Sequence, residues 1–289
     1  MTSRVRVAFQ GEHGAFSEAA ALILRPEATT VPCRTFDAVV QAVTEGAVDL
    51  GLLPVENTLA GGVVAAYDAL AAGAVAAIEE VVTPIRHCVM GVEDASLELL
   101  REIRSHPVAL AQCGHLFVER PTVSPVSVHD TAGAAMAVAE LGDPAVAAIA
   151  PRGAAARYGL ILLAEDVQDR DDNQTRFLLI EGAEERAEFE RPEEPEVDAS
   201  RALVRQFKTA LSVETDNRPG ALRDLLEPFA WEGHDLNFVE SRPTGRPWTY
   251  RFLIEFRHAG AYDVEEFALG LLRVARRVSI LGTFEAHQG

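Results

Sequence analysis

Along the first 180 positions, apolar residues fall alternately into short compact runs and longer stretches of helical period. From Val5 the run VRVAF reads as a strand, the glycines at 11 and 14 as a tight turn, and Phe16 to Leu24 as a helix with Ser17 in its first turn. The same pattern predicts a helix from Phe36 to Glu45, a buried strand from Val48 to Val55, a turn at Gly61 and Gly62, and a helix from Tyr67 to Ala72. Repeated strand, turn and helix imply an α/β unit whose sheet is largely parallel and buried on both faces.

A second α/β series follows. Thr83 to Val92 reads as a strand, three helices are expected around Leu97 to Arg104, Ala109 to Glu119 and Asp130 to Glu140, and AVAAIA from Ala145 to Ala150 reads as a buried strand. TRFLLIE, from Thr175 to Glu181, is the last strand before the pattern changes. Two α/β lobes with a ligand between them follow from this order, because open sheets take ligands at the carboxyl ends of their strands.

From Gly182 to Asp198 the chain is rich in Glu and Pro and has almost no apolar period, which predicts a solvated linker. The segments beyond it are KTALSVET, GALRDLLEPFAWEG, LNFVESRP, TYRFLIEF, VEEFALGLLRVARR and VSILGTF. They alternate as βαββαβ, the order of a ferredoxin-like sandwich with one open sheet face.

With 289 residues, 48% hydrophobic and 24% charged, the chain has room for two globular domains. A formal charge of −18 disfavours nucleic acid or an anionic membrane as partner, though a small anion remains admissible where a few cations converge. The longest apolar stretches, such as Ala69 to Ile78, are too short to span a bilayer, and Met1 to Phe9 has no signal core, so a cytoplasmic protein is expected. Cys33, Cys88 and Cys113 are too widely spaced for a disulfide framework or a CxxC metal site; free thiols, no metal and no cofactor are expected.

Four strings carry candidate chemistry. GEHGAFSE (Gly11 to Glu18) puts glycines and the Ser17 hydroxyl at a strand-to-helix turn, whose backbone N–H groups can receive a carboxylate or simply turn the chain. PVENTLAGGV (Pro54 to Val63) sets Glu56, Asn57 and Thr58 at the end of a buried strand, with Gly61 permitting close approach; Asn and Thr equally suit a helix cap. SHPVALAQC (Ser105 to Cys113) has a His before a helix start, more often a structural hydrogen bonder than a catalyst. DNQTRF (Asp172 to Phe177) gathers an amide, a hydroxyl, a guanidinium and a ring, and strand alternation sends Thr175 and Phe177 to one face and Arg176 to the other.

In this order the strings resemble the motifs of the prephenate dehydratase family, followed by NRPGAL (Asn217 to Leu222) and ESRP (Glu240 to Pro243) of a regulatory ACT domain. The resemblance runs from about Val5 to Phe284. It implies an α/β fold with a bilobed, periplasmic-binding-protein-like catalytic domain at residues 4–182. Lobe I would span about 4–80 and 160–182 and lobe II about 81–159, followed by a linker at 183–205 and a ferredoxin-like ACT domain at 206–286. Glu12, Ala15, Thr58 and Gly62 depart mildly from the family pattern, and Thr58 keeps the usual hydroxyl. Nothing before Val5 resembles the chorismate mutase fused to some members, so another protein is expected to supply the prephenate.

The implied reaction is loss of the ring hydroxyl and carboxylate of prephenate, giving phenylpyruvate, water and CO2 on the way to L-phenylalanine. By resemblance, Thr175 is the essential hydroxyl; as a weak acid it suits relaying a proton or polarising the leaving oxygen, within a network that includes Asn173 or Glu56. Ser17, Glu56, Asn57, Thr58, Gly61, Asn173, Arg176 and Phe177 are the expected substrate-binding residues. Arg176 is expected to grip the pyruvyl carboxylate, leaving the departing ring carboxylate in a less polar region near Phe177. The resemblance also implies allosteric L-phenylalanine bound at paired ACT domains of a homodimer or homotetramer, by Asn217, Gly220, Ala221, Leu222, Asn237, Glu240 and Ser241. Arogenate dehydratase and a non-catalytic phenylalanine-binding regulator are the alternatives; an extra acid facing the substrate side chain favours arogenate, and Glu56 is the candidate.

Overall fold

The computed structural model describes residues 4–183, 188–190, 206–259 and 262–286. The first lobe begins with β1 (Arg6–Gln10), α1 (Phe16–Leu24), β2 (Thr29–Cys33), α2 (Phe36–Thr44) and β3 (Leu50–Asn57). The two-residue β4 (Gly61–Gly62), α3 (Val64–Ala72) and β5 (Val75–Pro84) follow. Strands β1, β2 and β3 pair in parallel, as the strand–helix repeat requires.

The chain then crosses to a second lobe: β6 (Cys88–Gly91), β7 (Glu102–Ser105), α4 (Pro107–Ala111), α5 (Gly114–Glu119), β8 (Ser124–Ser127), α6 (Thr131–Leu141), β9 (Val146–Ala150), α7 (Arg152–Tyr158) and β10 (Ile161–Ala164). It crosses back once, into β11 (Gln174–Gly182), which inserts antiparallel between β3 and β5. Two lobes joined by two crossings is the bilobed architecture expected. Both sheets are mixed rather than largely parallel, because each crossing returns a strand in the opposite sense. β10 pairs with β6, so the second lobe extends past the expected limit at 159.

Glu102–Ser105, expected inside a helix, is a strand between β8 and β9. Ile103 is fully buried there, and sheet pairing overrides the helical spacing of Leu97, Leu100 and Ile103. Thr83 and Pro84 belong to β5, whereas Cys88 starts β6, so the single strand expected at 83–92 is two, broken at the crossing.

The C-terminal part is β13 (Gln206–Thr215), α8 (Ala221–Trp231), β14 (Asp235–Pro243), β15 (Tyr250–Ala259), α9 (Val264–Leu271) and β16 (Ala275–Glu285), the βαββαβ order expected. Within the acidic segment, β12 (Glu188–Glu190) is a short strand on β16, and most of the rest of the expected linker lies outside the described residues.

The C-terminal sheet joins the first lobe's sheet edge to edge, in the order β14-β15-β13-β16-β5-β11-β3-β1-β2. At the seam Gly282 pairs with Ala77 at φ +150, and a Cβ at Gly282 would collide with the Ala77 backbone, so only glycine fits. One apolar core spans the seam, with Leu53, Tyr67, Leu70 and Leu178 packed among Ala210, Leu253, Leu281 and Phe284. Burial of such side chains, at roughly 1.5–3 kcal/mol each, favours a fixed rather than swinging C-terminal domain.

Candidate functional site

β3 and β11 are adjacent antiparallel strands that place Asn57 opposite Thr175 and Glu56 opposite Arg176. Pleating sends the first pair to the cleft between the lobes and the second to the face covered by the C-terminal domain. Thr175 is the second residue of β11, directly after the second crossing, so its hydroxyl stands at the hinge.

The Asn57 amide nitrogen donates to the Thr175 hydroxyl at 2.9 Å and to the Asn173 amide oxygen at 2.8 Å. The Asn173 nitrogen in turn donates to Gln112 Oε1 at 3.1 Å, and that oxygen lies 3.0 Å from His87 Nε2. Burial holds the His87 ring below the ordinary histidine range, which favours the neutral form with its proton on Nε2, directed at Gln112. The direction of every bond in the chain then follows. Gln112 accepts twice, and Thr175 accepts from Asn57, leaving its own proton free to donate elsewhere. Thr83, opposite Thr175 on β5, has a second buried hydroxyl without a hydrogen-bond partner.

A cavity of about 160 Å³ lies beside this chain, lined by Leu59, Ala111, Gln112, Gln168, Asp169, Arg170 and Asn173. Gln112, Gln168 and Arg170 were not singled out in the sequence. Gln112 sits at the break between two short helices where one continuous helix was expected, and Arg170 is one residue in a charge-rich run.

Thr58 latches the entrance of β11: its hydroxyl donates to the Asp172 carbonyl and accepts from the Gln174 N–H, both at 2.9 Å. The Leu59 and Ala60 N–H groups donate to Asn57 Oδ1, and Gly61 pairs with Asn57 in β4. The turn at 58–62 thus spends these donors on itself. The Gly14 N–H is taken likewise, by Glu18 Oε2 at 2.6 Å. Burial alone would raise the Glu18 carboxyl, but hydrogen bonds from Thr30, Gly14 and His13 outweigh it and leave it below the usual range. Ser17 is buried on α1.

Two further expectations are corrected. Phe177 is 1% exposed and packs under α1 with Val7, Ala20, Leu52 and Leu179, a core residue rather than a cleft wall. Arg176 does not face the cleft at all. Its guanidinium lies 3.2 Å from Glu56, 3.2 Å from Glu80, 3.0 Å from Glu255 and 3.1 Å from the Tyr67 hydroxyl, so the odd register that separates it from Thr175 commits it to the C-terminal side. Glu56 goes with it, away from the Thr175 network.

In the C-terminal domain, Asn217 and Gly220 lie just before α8, Ala221 and Leu222 open that helix, and Asn237, Glu240 and Ser241 lie on β14. The register slips between Leu236 and Phe238, and at this bulge Asn237 Oδ1 is buried without a partner.

Among the described residues no group of His, Cys, Asp and Glu is arranged to hold a metal, and no helix is long and apolar enough to cross a membrane. The three cysteines carry no disulfide.

The family model described as prephenate dehydratase matches residues 7–185. An Arabidopsis thaliana protein named arogenate dehydratase/prephenate dehydratase 2, chloroplastic, is 36% identical over 293 residues, covering 98% of this chain and 73% of its own. The crystal structure of prephenate dehydratase from Arthrobacter aurescens in complex with L-Phe matches with TM-score 0.83 at 32% identity, covering 98% of this chain and 90% of that one. A structure presented as a novel type of quorum quenching acylase matches with TM-score 0.84 at 31% identity, over 98% of both chains. Matched from first strand to last by relatives that share its two lobes and C-terminal domain, the chain belongs to the prephenate dehydratase family, whose members are dehydratases of the lyase class.

Proposed function

We propose that the chain converts prephenate to phenylpyruvate, water and CO2, with Thr175 beside the departing ring hydroxyl. The observation that carries this is the polarity of the Thr175–Asn57–Asn173–Gln112 chain, which leaves the Thr175 proton free at the cleft. The reaction must break the bond to the ring carboxylate, whose electron pair completes the aromatic ring, and expel the hydroxyl as water. A hydrogen bond from Thr175 to that oxygen stabilises the charge developing on it, and the proton that completes the water reaches it from this network or from solvent. Well-placed donors of this kind supply about 10²–10⁴-fold.

Arg170, which lines the cavity, takes the role first expected of Arg176 and binds the pyruvyl carboxylate. Its guanidinium is held by Asp172 at 2.9 and 2.6 Å, an exposed pair that a substrate carboxylate can replace at small cost. The departing carboxylate is left to the amide-lined part of the cavity, where no cation opposes its conversion to neutral CO2.

Arogenate differs from prephenate by an ammonium on its side chain, for which an unpaired acid is needed. Glu56, the candidate for that role, faces Arg176 instead. This favours prephenate, although plant relatives carry arogenate dehydratase in their names. An acylase would need a base on its nucleophile. Among the described residues, the Thr175 hydroxyl is hydrogen-bonded only by the Asn57 amide.

The C-terminal domain is read as an ACT domain that binds L-phenylalanine between α8 and the β14 bulge, Asn237 Oδ1 accepting from the ammonium. β14 is an edge strand of the sheet, which suits pairing with a second copy into a homodimer or homotetramer. The test is phenylpyruvate formation from prephenate by wild type and Thr175→Val, with and without L-phenylalanine. Turnover lost in the variant and altered by the amino acid is expected; turnover of arogenate alone, or of neither substrate, overturns the reading.

A further inference from the structure

The face of β11 away from the cavity carries charges that the reaction does not use. Arg176 and Lys208 are 8% and 7% exposed in their side chains, and Glu80 and Glu255 are 0% exposed. Lys208 lies 2.9 Å from both Glu80 oxygens and 4.0 Å from Glu255, and Arg176 reaches both carboxylates. Among the described residues, Arg176 and Lys208 face the buried Glu80 and Glu255, with the more exposed Glu56 at the edge, in an interior where each ion costs several kcal/mol to desolvate, which makes the cluster weak as a source of stability and demanding in geometry.

The cluster joins two domains. Arg176 and Glu80 belong to the first lobe, and Lys208 and Glu255 to the C-terminal sheet. Tyr67 closes it, its hydroxyl donating to Glu255 at 3.1 Å and accepting from Arg176 at 3.1 Å. The Tyr67 ring stacks on Phe238 of β14 with centroids 4.4 Å apart. Next along α3, Asp68 accepts from Arg242, also on β14, at 3.1 Å. One strand therefore holds the effector candidates Asn237, Glu240 and Ser241 and, between them and just beyond, two side chains fastened to α3.

We propose that Arg176 is a positioning residue for Thr175, clamped by Glu255 of the C-terminal domain and by Tyr67 of α3, which stacks on Phe238 of β14, so that the placement of β14 sets the placement of the Thr175 hydroxyl. This rests on the dehydratase and effector readings given above. Arg176 and Thr175 share a peptide bond, so a shift of the guanidinium's anchors moves the entrance of β11, and about 1 Å of misplacement at a reacting group costs on the order of 100-fold. Arg176 touches no substrate in this arrangement, so its influence falls on turnover rather than on binding.

The test uses the full chain with Tyr67→Phe, which keeps the ring stack and removes both hydrogen bonds. The readouts are kcat and KM for prephenate, L-phenylalanine affinity by calorimetry, and amide exchange over residues 174–177 with and without the amino acid. The expected result is kcat about tenfold lower at unchanged KM, with L-phenylalanine bound as in wild type but its effect on turnover and exchange reduced at least about fivefold. Glu255→Gln should act in the same direction; should it fail to fold, Glu255→Gln with Lys208→Met restores charge balance and replaces it. The proposal is overturned if both variants keep wild-type kcat and the full response to bound L-phenylalanine. If wild type binds L-phenylalanine but does not turn over prephenate, the reaction reading falls and the exchange comparison alone decides this one. If wild type binds no L-phenylalanine, the effector reading and the proposal fall together.

Discussion

Asn57 donates its side-chain nitrogen to the Thr175 hydroxyl at 2.9 Å, across the first residue pair of β3 and β11 at the cleft. That bond occupies a lone pair and orients the hydroxyl proton outward. Thr175→Val, nearly isosteric, is therefore expected to lower kcat by about 100-fold or more with thermal stability little changed, while Thr175→Ser stays within about tenfold of wild type. Steady-state kinetics beside a melting curve separate the two; equal activity of the Val and Ser variants would contradict the role.

Gln112 is tied to the same hydroxyl through Asn173 and Asn57, and its orientation is fixed by His87. Gln112→Met removes an acceptor for two donors in a half-buried network, and a drop of about 10–100-fold in kcat/KM is expected. His87→Phe, which frees the Gln112 amide to rotate, should show a smaller loss of the same kind. A Gln112→Met enzyme with unchanged kinetics would remove the network from the mechanism.

Arg170 and Arg176 make opposite predictions. Arg170→Met should raise KM for prephenate about tenfold or more, since it removes a charge-assisted contact with the carboxylate, and leave the melting temperature near wild type because the side chain is exposed. Arg176→Met should instead destabilise the protein, by about 3–5 kcal/mol, because Glu80 and Glu255 lose a buried partner. Kinetics and chemical denaturation of both variants check the pair; an Arg176→Met protein that is stable and merely binds substrate poorly would restore the carboxylate role to Arg176.

His234 packs against Phe256, Tyr262 and Phe267 with Nε2 buried and unpartnered. Burial first, then the neighbouring His258, push its pKa down to about 4, against the backbone hydrogen bond at Arg257. Glu232, Asp263 and Glu266 lie near Tyr262 on the flanking elements. Below the ordinary histidine value near 6.5 the unfolded chain binds a proton that the folded one refuses, so the His234 contribution to stability falls as pH drops from about 6.5 towards 4 and adds no slope above. His234→Phe should flatten the denaturation midpoint against pH in this window; an unchanged slope would assign the acid sensitivity elsewhere.

The alternation that sends Thr175 and Arg176 to opposite faces is legible in DNQTRF itself, and it already set those two residues against sharing a site. What Arg176 does there is not legible, because its partners Glu80 and Glu255 lie 96 and 79 residues away and meet it only through sheet order. The C-terminal elements were readable because each has one apolar face and clear turn residues. The stretch at 75–82 was not assigned; it is most of β5, whose adjacent Glu79 and Glu80 interrupt the apolar run, and it forms the seam. Thr58 and Gly61 have the residue types of a binding turn, yet the N–H groups beside them close that turn on Asn57, a distinction set by backbone direction rather than residue type.

The seam at Gly282 also orders events during synthesis. When the first lobe leaves the ribosome, β5 has no neighbour on one side until β11 arrives and none on the other until β16, the last strand of the described chain, is made. The sheet that carries Thr175 therefore reaches its final form only after the C-terminal domain has emerged, and until then its open edge is a strand surface in need of shielding.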